Sequence, residues 1–165
     1  IGRNISAFYE NFKRDLGFKF EENPYKTAEL QALFLENHDH MVPLLWFDHN
    51  ILKNFNIDVF EQPFPDEGYA TYHHNNIDLL LLKHNLDDTI KETIVGEFLD
   101  VPNFSLINYN VGLSKIYADS YKEFLQLPLP EVYITKMLNS KYVKHFYAAE
   151  IDAITNKWRK SNSDH

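Results

Sequence analysis

The stretch from Ile77 to Val101, IDLLLLKHNLDDTIKETIVGEFLDV, restricts the fold more than any other part of the chain. It opens on Ile77, Leu79, Leu80, Leu81 and Leu82, an apolar run with one polar interruption. Such a run is too short for a membrane span, which takes roughly 20 apolar residues. It reads as a strand buried on both faces, as in a parallel sheet, or as a buried helical turn. Lys83 and His84 end it. Asp87 or Asp88 then offers a helix N-cap, and Ile90, Ile94, Val95, Phe98 and Leu99 fall on one helical face. A strand running straight into an amphipathic helix is half of a βαβ unit.

The flanking segments are mostly helical in pattern. Ile5, Phe8, Tyr9, Phe12 and Leu16 share one face of a helix over 3–16, which Gly17 stops. Phe18 to Tyr25 is irregular. Thr27 caps a helix over 28–37 that ends at His38-Asp39-His40, and Asp48 caps a short one through Phe55. Residues 57–60 are an extended piece and 63–68 a turn. Tyr69 to His73 alternates like a strand and Asn75-Asn76 turns, so residues 69–82 form a hairpin or two adjacent strands. A connector over 104–112 leads to Ser114, which caps a helix to about Gln126. Residues 131–138 form a short helix, 140–146 a turn with two lysines, and 148–159 a last helix with Ile151, Ile154 and Trp158 inward. The tail 161–165 is polar and expected to fray.

Composition narrows the function. The 165 residues carry a net charge of −8, which argues against a non-specific nucleic-acid binder that needs a basic face. There is no cysteine, so neither a disulfide framework nor a thiolate metal site can form. No segment has the length and apolarity of a membrane span and no secretory signal is visible, so the expected location is the cytoplasm. A chain opening on Ile1 rather than Met is expected to be a piece of a longer protein. The 13 Phe, 10 Tyr and 2 Trp are a large aromatic share that can serve a core or stack on sugars.

Two groups of residues suggest chemistry. Arg3 and Ser6 are three apart, on one face near the start of the first helix, where free N–H groups, a hydroxyl and a guanidinium would together clamp a phosphate; a solvated Arg and an ordinary helical Ser would look the same. His38, His40, His49, His73, His74 and His84 invite a metal site, but their spacing matches no ligand motif and they read as solvated or capping residues. Glu61, Asp66 and Glu67 read as a surface loop rather than an acid–base pair.

The run IGRNISAFYENF resembles the helical half of the second phosphate-binding signature of PAPS-dependent sulfotransferases, with Arg3, Ser6, Ala7, Phe8 and Tyr9 matching. The chain as a whole is similar to the capsular polysaccharide synthesis family of that P-loop-related group. Supporting pieces are Ile57-Asp58-Val59-Phe60, Pro63-Phe64 with Gly68-Tyr69, the strand Leu79 to Lys83 with a helix ending Glu97-Phe98-Leu99, Asn110 before Tyr117 and Tyr121, and Ser140-Lys141-Tyr142 leading to His145-Phe146-Tyr147. His84-Asn85-Leu86 stands where sulfotransferases often have Glu-Asp-Leu.

The resemblance implies an α/β fold: the mainly helical C-terminal portion of a sulfotransferase-like parallel-sheet domain over 1–160, with a short sheet contribution near 69–82. It implies transfer of a sulfuryl group from 3'-phosphoadenosine 5'-phosphosulfate (PAPS) to a carbohydrate hydroxyl. Ser6 and the helix start would hold the cofactor's 3'-phosphate, Arg3 would either assist or form a structural ion pair, and Lys141, Lys144 and His145 would form a late basic clasp, unless they are a solvated turn. Trp46, Phe47, Phe60, Phe64, Tyr69 and Tyr72 could line an acceptor groove with sugar rings stacked on them, Trp46, Phe47 and Tyr69 foremost; packing in a core would account for most of them equally well. No Gly-rich loop followed by Lys and Ser or Thr occurs here, so the 5'-phosphosulfate cradle and the catalytic base are expected upstream of Ile1, and this segment alone is expected to be inactive. Two readings from other classes stand beside it: a non-catalytic helical module binding a protein or glycan partner, and a His/Asp metal-dependent hydrolase.

Overall fold

Burial of aromatic rings dictates most of what forms. In the computed structural model, which describes residues 1–17, 19–107 and 115–159, the chain divides into two compact units, Ile1–Leu44 with Asn110–His165, and Leu45–Tyr109. Phe18, Asn110, the Ser114 cap and the tail 161–165 lie outside the described residues.

The first unit is helical. Its opening segment is two helices rather than one, α1 (Gly2–Glu10) and α2 (Phe12–Leu16), broken at Asn11. The Asn11 amide donates to the Ala7 carbonyl at 2.7 Å, a local bond that competes with the helical ladder. Gly17, at φ 81°, ends α2 in the left-handed conformation that glycine adopts without strain. In α3 (Thr27–Asn37) the Glu29 carboxylate reaches back to the Lys26 N–H at 2.7 Å, satisfying one orphan donor of the helix start. Then come α6 (Ala118–Phe124), α7 (Glu131–Leu138), α8 (Lys141–Phe146) and, after a 3-10 turn over Ala148–Glu150, α9 (Ile151–Arg159). The lysine-bearing turn expected over 140–146 is instead the helix α8. The Ser140 hydroxyl caps it by accepting from the Val143 N–H at 3.3 Å, and Val143 and Phe146 are buried.

The core of this unit is a lattice of edge-to-face rings. Phe8 meets Tyr9, Phe12 and Phe34 at centroid separations of 5.7, 6.0 and 5.6 Å, and Phe34 meets Phe124 and Tyr133 at 5.5 and 5.7 Å. This geometry sets positive ring edges on negative ring faces, which adds to the gain from burial alone. Trp158 of α9 is buried in the same cluster.

The second unit begins with a π-helical segment over Phe47–Leu52 that runs into α4 (Lys53–Phe55) and stops at Asn56, φ 54°. A loop leads to a hairpin of β1 (Tyr69–His74) and β2 (Ile77–Leu82), joined through Asn75 in a left-handed conformation. The strands pair antiparallel, Tyr69 opposite Leu82 and His74 opposite Ile77. The hairpin is therefore present. The parallel pairing expected from the apolar run is not seen among the described residues, where the sheet has two strands. The leucines at 79–82 are half-buried rather than enclosed on both faces, because a two-stranded sheet has no further layer to cover the second face. Next, α5 (Asp88–Leu99) is capped by the Asp87 carboxylate, which accepts from the Thr89 N–H at 2.9 Å. It packs on β2, yet its one fully buried residue is Gly96, where an added Cβ would sit 3.1 Å from the Val101 carbonyl. Among the described residues no helix is long and apolar enough to cross a membrane.

Candidate functional site

The start of α1 carries the phosphate-clamp expectation. The Asn4 and Ile5 N–H groups close onto the Ile1 carbonyl at 2.9 and 3.2 Å, and no side chain caps the helix. Arg3 is exposed and Ser6, one turn on, is half-buried. Behind this turn, the Trp158 ring lies 4.0 Å from where a Gly2 Cβ would be, and the Lys157 ammonium sits 5.5 Å from the centre of that ring. An uncapped helix start thus has an exposed guanidinium, a hydroxyl and a nearby lysine, a donor set that fits one phosphate group. Lys157 escaped sequence reasoning; a basic residue in the last turn of a helix was its one signal. Among the described residues no Gly-rich loop followed by Lys and Ser or Thr, of the kind that would cradle a second phosphate, accompanies this donor set.

Lys144 and His145 lie in the last turn of α8. Lys144 is exposed; His145 is half-buried, its ring perpendicular to Phe146 at 4.6 Å. The α8 residue Val143 packs into the same core as Ile5 and Phe8 of α1, so both candidate cofactor groups belong to the first unit.

The acceptor candidates Trp46, Phe47 and Tyr69 belong to the second unit. Trp46 is 46% exposed and meets Phe47 edge-to-face at 5.4 Å; Phe47 in turn meets Phe60 at 6.1 Å. Tyr69 stands at the far end of the hairpin from the Asn75 turn, partly exposed. These three do not line a polar cavity found in the same unit. That cavity, about 430 Å³, lies between the loop 56–65 and β1. Ile57, Pro63, Pro65 and Tyr72 supply apolar surface, and Asn56, Asp58, Glu61, Gln62, His73 and His74 supply polar groups. The Tyr72 hydroxyl donates to the Val59 carbonyl at 3.2 Å, tying strand to loop. Burial, and then the charge of Asp58, push the Tyr72 phenol up from its ordinary value. His73 and Asp78 face each other across the hairpin, Nδ1 to carboxylate at 2.6 Å. Of the three acidic loop residues, Glu61 lines the cavity while Asp66 and Glu67 are exposed in the following turn.

The histidines divide by environment. Among the described residues no three His, Cys, Asp or Glu side chains converge as a metal site. His49 and His84 are exposed. His38, read as a solvated or capping residue, occupies the C-cap position of α3 through its backbone N–H, but its side chain is buried against Asp15, Nδ1 to carboxylate at 3.0 Å, and stacks on Phe34. His40 lies 3.3 Å from the Tyr133 hydroxyl, beside the buried Asn4. This internal polar cluster was not legible in the sequence, since its members lie up to 129 positions apart.

Neither the curated proteins nor the solved structures yield a match. A family model described as "Putative capsular polysaccharide synthesis protein" matches residues 25–148. That span covers more than half of the chain, from the residue after Pro24 through α8, and takes in both units. The chain belongs to the capsular polysaccharide synthesis family.

Proposed function

We propose that the protein carrying this chain transfers a sulfuryl group from PAPS to a hydroxyl of a carbohydrate during capsular polysaccharide synthesis. The observation that supports this reading best is the uncapped start of α1, with Arg3 exposed, Ser6 one turn on and Lys157 near Gly2 by way of Trp158. The nucleotide, when bound, supplies the sulfuryl group. The roles of this chain's residues are to bind and orient. The Gly2 and Arg3 N–H groups and the Ser6 hydroxyl donate to the 3'-phosphate, Arg3 and Lys157 balance its charge, and Lys144 with His145 close from α8. A site of this kind works by positioning and by fixed charge rather than by covalent chemistry. The family supplies the carbohydrate side of the reading.

The test is binding of 3'-phosphoadenosine 5'-phosphate by calorimetry to the protein that carries this chain. Arg3→Ala and Ser6→Ala each remove a donor to a charged acceptor, worth about 1.5–3 kcal/mol, so each is expected to weaken binding about tenfold or more. Arg3 is exposed, so thermal stability should hold. Unchanged affinity in both variants overturns the proposed site. No affinity in the parent protein, with glycan binding retained, would leave a carbohydrate-binding module in its place.

A further inference from the structure

We infer that the cavity between the loop 56–65 and β1 is a saccharide-binding cleft whose lining selects a sugar without acidic groups, an amino sugar ahead of a neutral one. The inference rests on the carbohydrate half of the function proposed above and is independent of sulfuryl transfer. It also moves the acceptor away from Trp46, Phe47 and Tyr69.

The cavity has the size and the two-sided chemistry that a pyranose needs. About 430 Å³ falls within the roughly 300–1,000 Å³ typical of small-molecule sites. A sugar ring presents C–H faces and hydroxyl edges. Here Tyr72, Ile57 and two prolines offer surface for the faces, while side chains with planar polar ends offer hydrogen bonds for the edges.

The polar lining is rich in acceptors and has no fixed cation. Asp58 uses one carboxylate oxygen to hold the Phe60 N–H at 2.9 Å, an Asx turn that sets the loop and leaves the other oxygen free for a ligand. Glu61 is exposed, and neither Asp58 nor Glu61 has an ion-pair partner among the described residues. The carboxylate of Asp78 can only accept, so the imidazole Nδ1 of His73 must donate to it; in the neutral ring this makes Nε2 an acceptor. Sugar hydroxyls can donate to all three of these groups. An amine would add attraction to two unpaired carboxylates, whereas a uronate or an already sulfated sugar would meet like charge with no lysine or arginine in the lining to offset it.

The experiment is a nitrogen-15 NMR titration of the protein carrying this chain with three probes: a methyl hexopyranoside, its 2-amino-2-deoxy counterpart and the corresponding methyl hexuronoside. Affinities for single sugars should be of the order of millimolar. The expected result is that the amino sugar binds about threefold or more tighter than the neutral one and the hexuronoside most weakly, with shifts over 56–65 and 70–74. Asp58→Asn and Glu61→Gln should each narrow the preference for the amine over the neutral sugar; an unchanged preference in both overturns the inference. Glu61 is on the surface, so the second variant is not at risk of misfolding, and its unchanged spectrum would show that. Tighter binding of the hexuronoside, shifts confined to 45–47 and 69, or no shift with any probe each overturns the inference. Calorimetry with 3'-phosphoadenosine 5'-phosphate on the same sample separates the two proposals. Nucleotide binding without sugar binding removes the cleft alone, and sugar binding without nucleotide binding removes the sulfuryl-transfer reading alone.

Discussion

Asn4 is 3% exposed, yet it belongs to a helix that otherwise buries Ile5, Phe8 and Tyr9. Its amide donates to the His40 carbonyl and to the Tyr133 hydroxyl, both at 3.2 Å, so one side chain joins α1 to α7 and to the segment after α3. Replacing Asn4 by Ala leaves buried acceptors without their donor and should cost about 1–3 kcal/mol in a urea titration. Phe8→Ala should cost more, about 3–5 kcal/mol, because a fully buried ring with three aromatic neighbours is deleted. The neighbouring His40 makes the cluster sensitive to pH. Burial, then the adjacent His38 and the more distant charge of Lys136, hold its pKa below the ordinary imidazole value, against the nearby Leu35 and Phe34 carbonyls, which act the other way. The folded ring therefore takes a proton less readily than the unfolded one. His40's contribution is complete above about pH 6.5 and is lost as pH falls from there towards its folded value, by at most about 1.4 kcal/mol per pH unit. Urea midpoints at about pH 7.5 and about pH 5.5 should diverge more in the parent protein than in His40→Asn; equal divergence would remove His40 as the source.

The hairpin and α5 depend on two small local devices. Gly68 sits at φ 83°, and its carbonyl accepts the Lys83 N–H at 2.7 Å, which closes the base of the hairpin. A Cβ there would be 3.0 Å from a Leu86 methyl and would force a non-glycine residue into the left-handed region. Gly68→Ala should destabilise the second unit by about 1 kcal/mol or more. Asp87→Ala removes the α5 cap and should cost about 1 kcal/mol. Both effects should appear as faster amide exchange in 69–99, leaving α3 and α7 unchanged. The elements were the most legible part of the chain. Val143 and Phe146, spaced like a helix, and Ser140 before them were a helix signal that the lysines at 141 and 144 obscured. The break between α1 and α2 was not legible, because the apolar spacing continues through it and the Asn11 N–H still reaches the Ala7 carbonyl at 3.0 Å, while the Asn11 backbone leaves helical geometry at φ −107° and ψ 18°.

Across the molecule, burial is uneven. The fully buried apolar residues of the second unit, among those described, are Ile51, Ile57 and Val59, whereas the first unit closes over a continuous aromatic cluster. Ile90, Leu99, Val101 and Leu106 of the second unit are exposed. Local stability follows local burial, so hydrogen exchange followed by mass spectrometry should find α1, α3 and α7 protected well beyond β2 and α5. Similar protection in both units would mean that the exposed apolar side chains of the second unit are covered in solution.

By itself the sequence determined two extended segments over 69–82, the capped helix that follows them, the predominance of helix and the family, because each rests on local spacing, turn chemistry or a contiguous pattern. Tertiary structure alone decided the rest. Whether β2 pairs parallel or antiparallel depends on which strand lies beside it, not on its own leucines. Whether His38 and His40 face water or core depends on Phe34, Tyr133 and Asp15 arriving from elsewhere in the chain. That Asp58, Glu61 and His73 line one cavity, while Trp46 and Tyr69 stand outside it, depends on how the 56–65 loop folds back against β1. Spacing along a chain carries periodicity, but it does not carry which distant side chains meet.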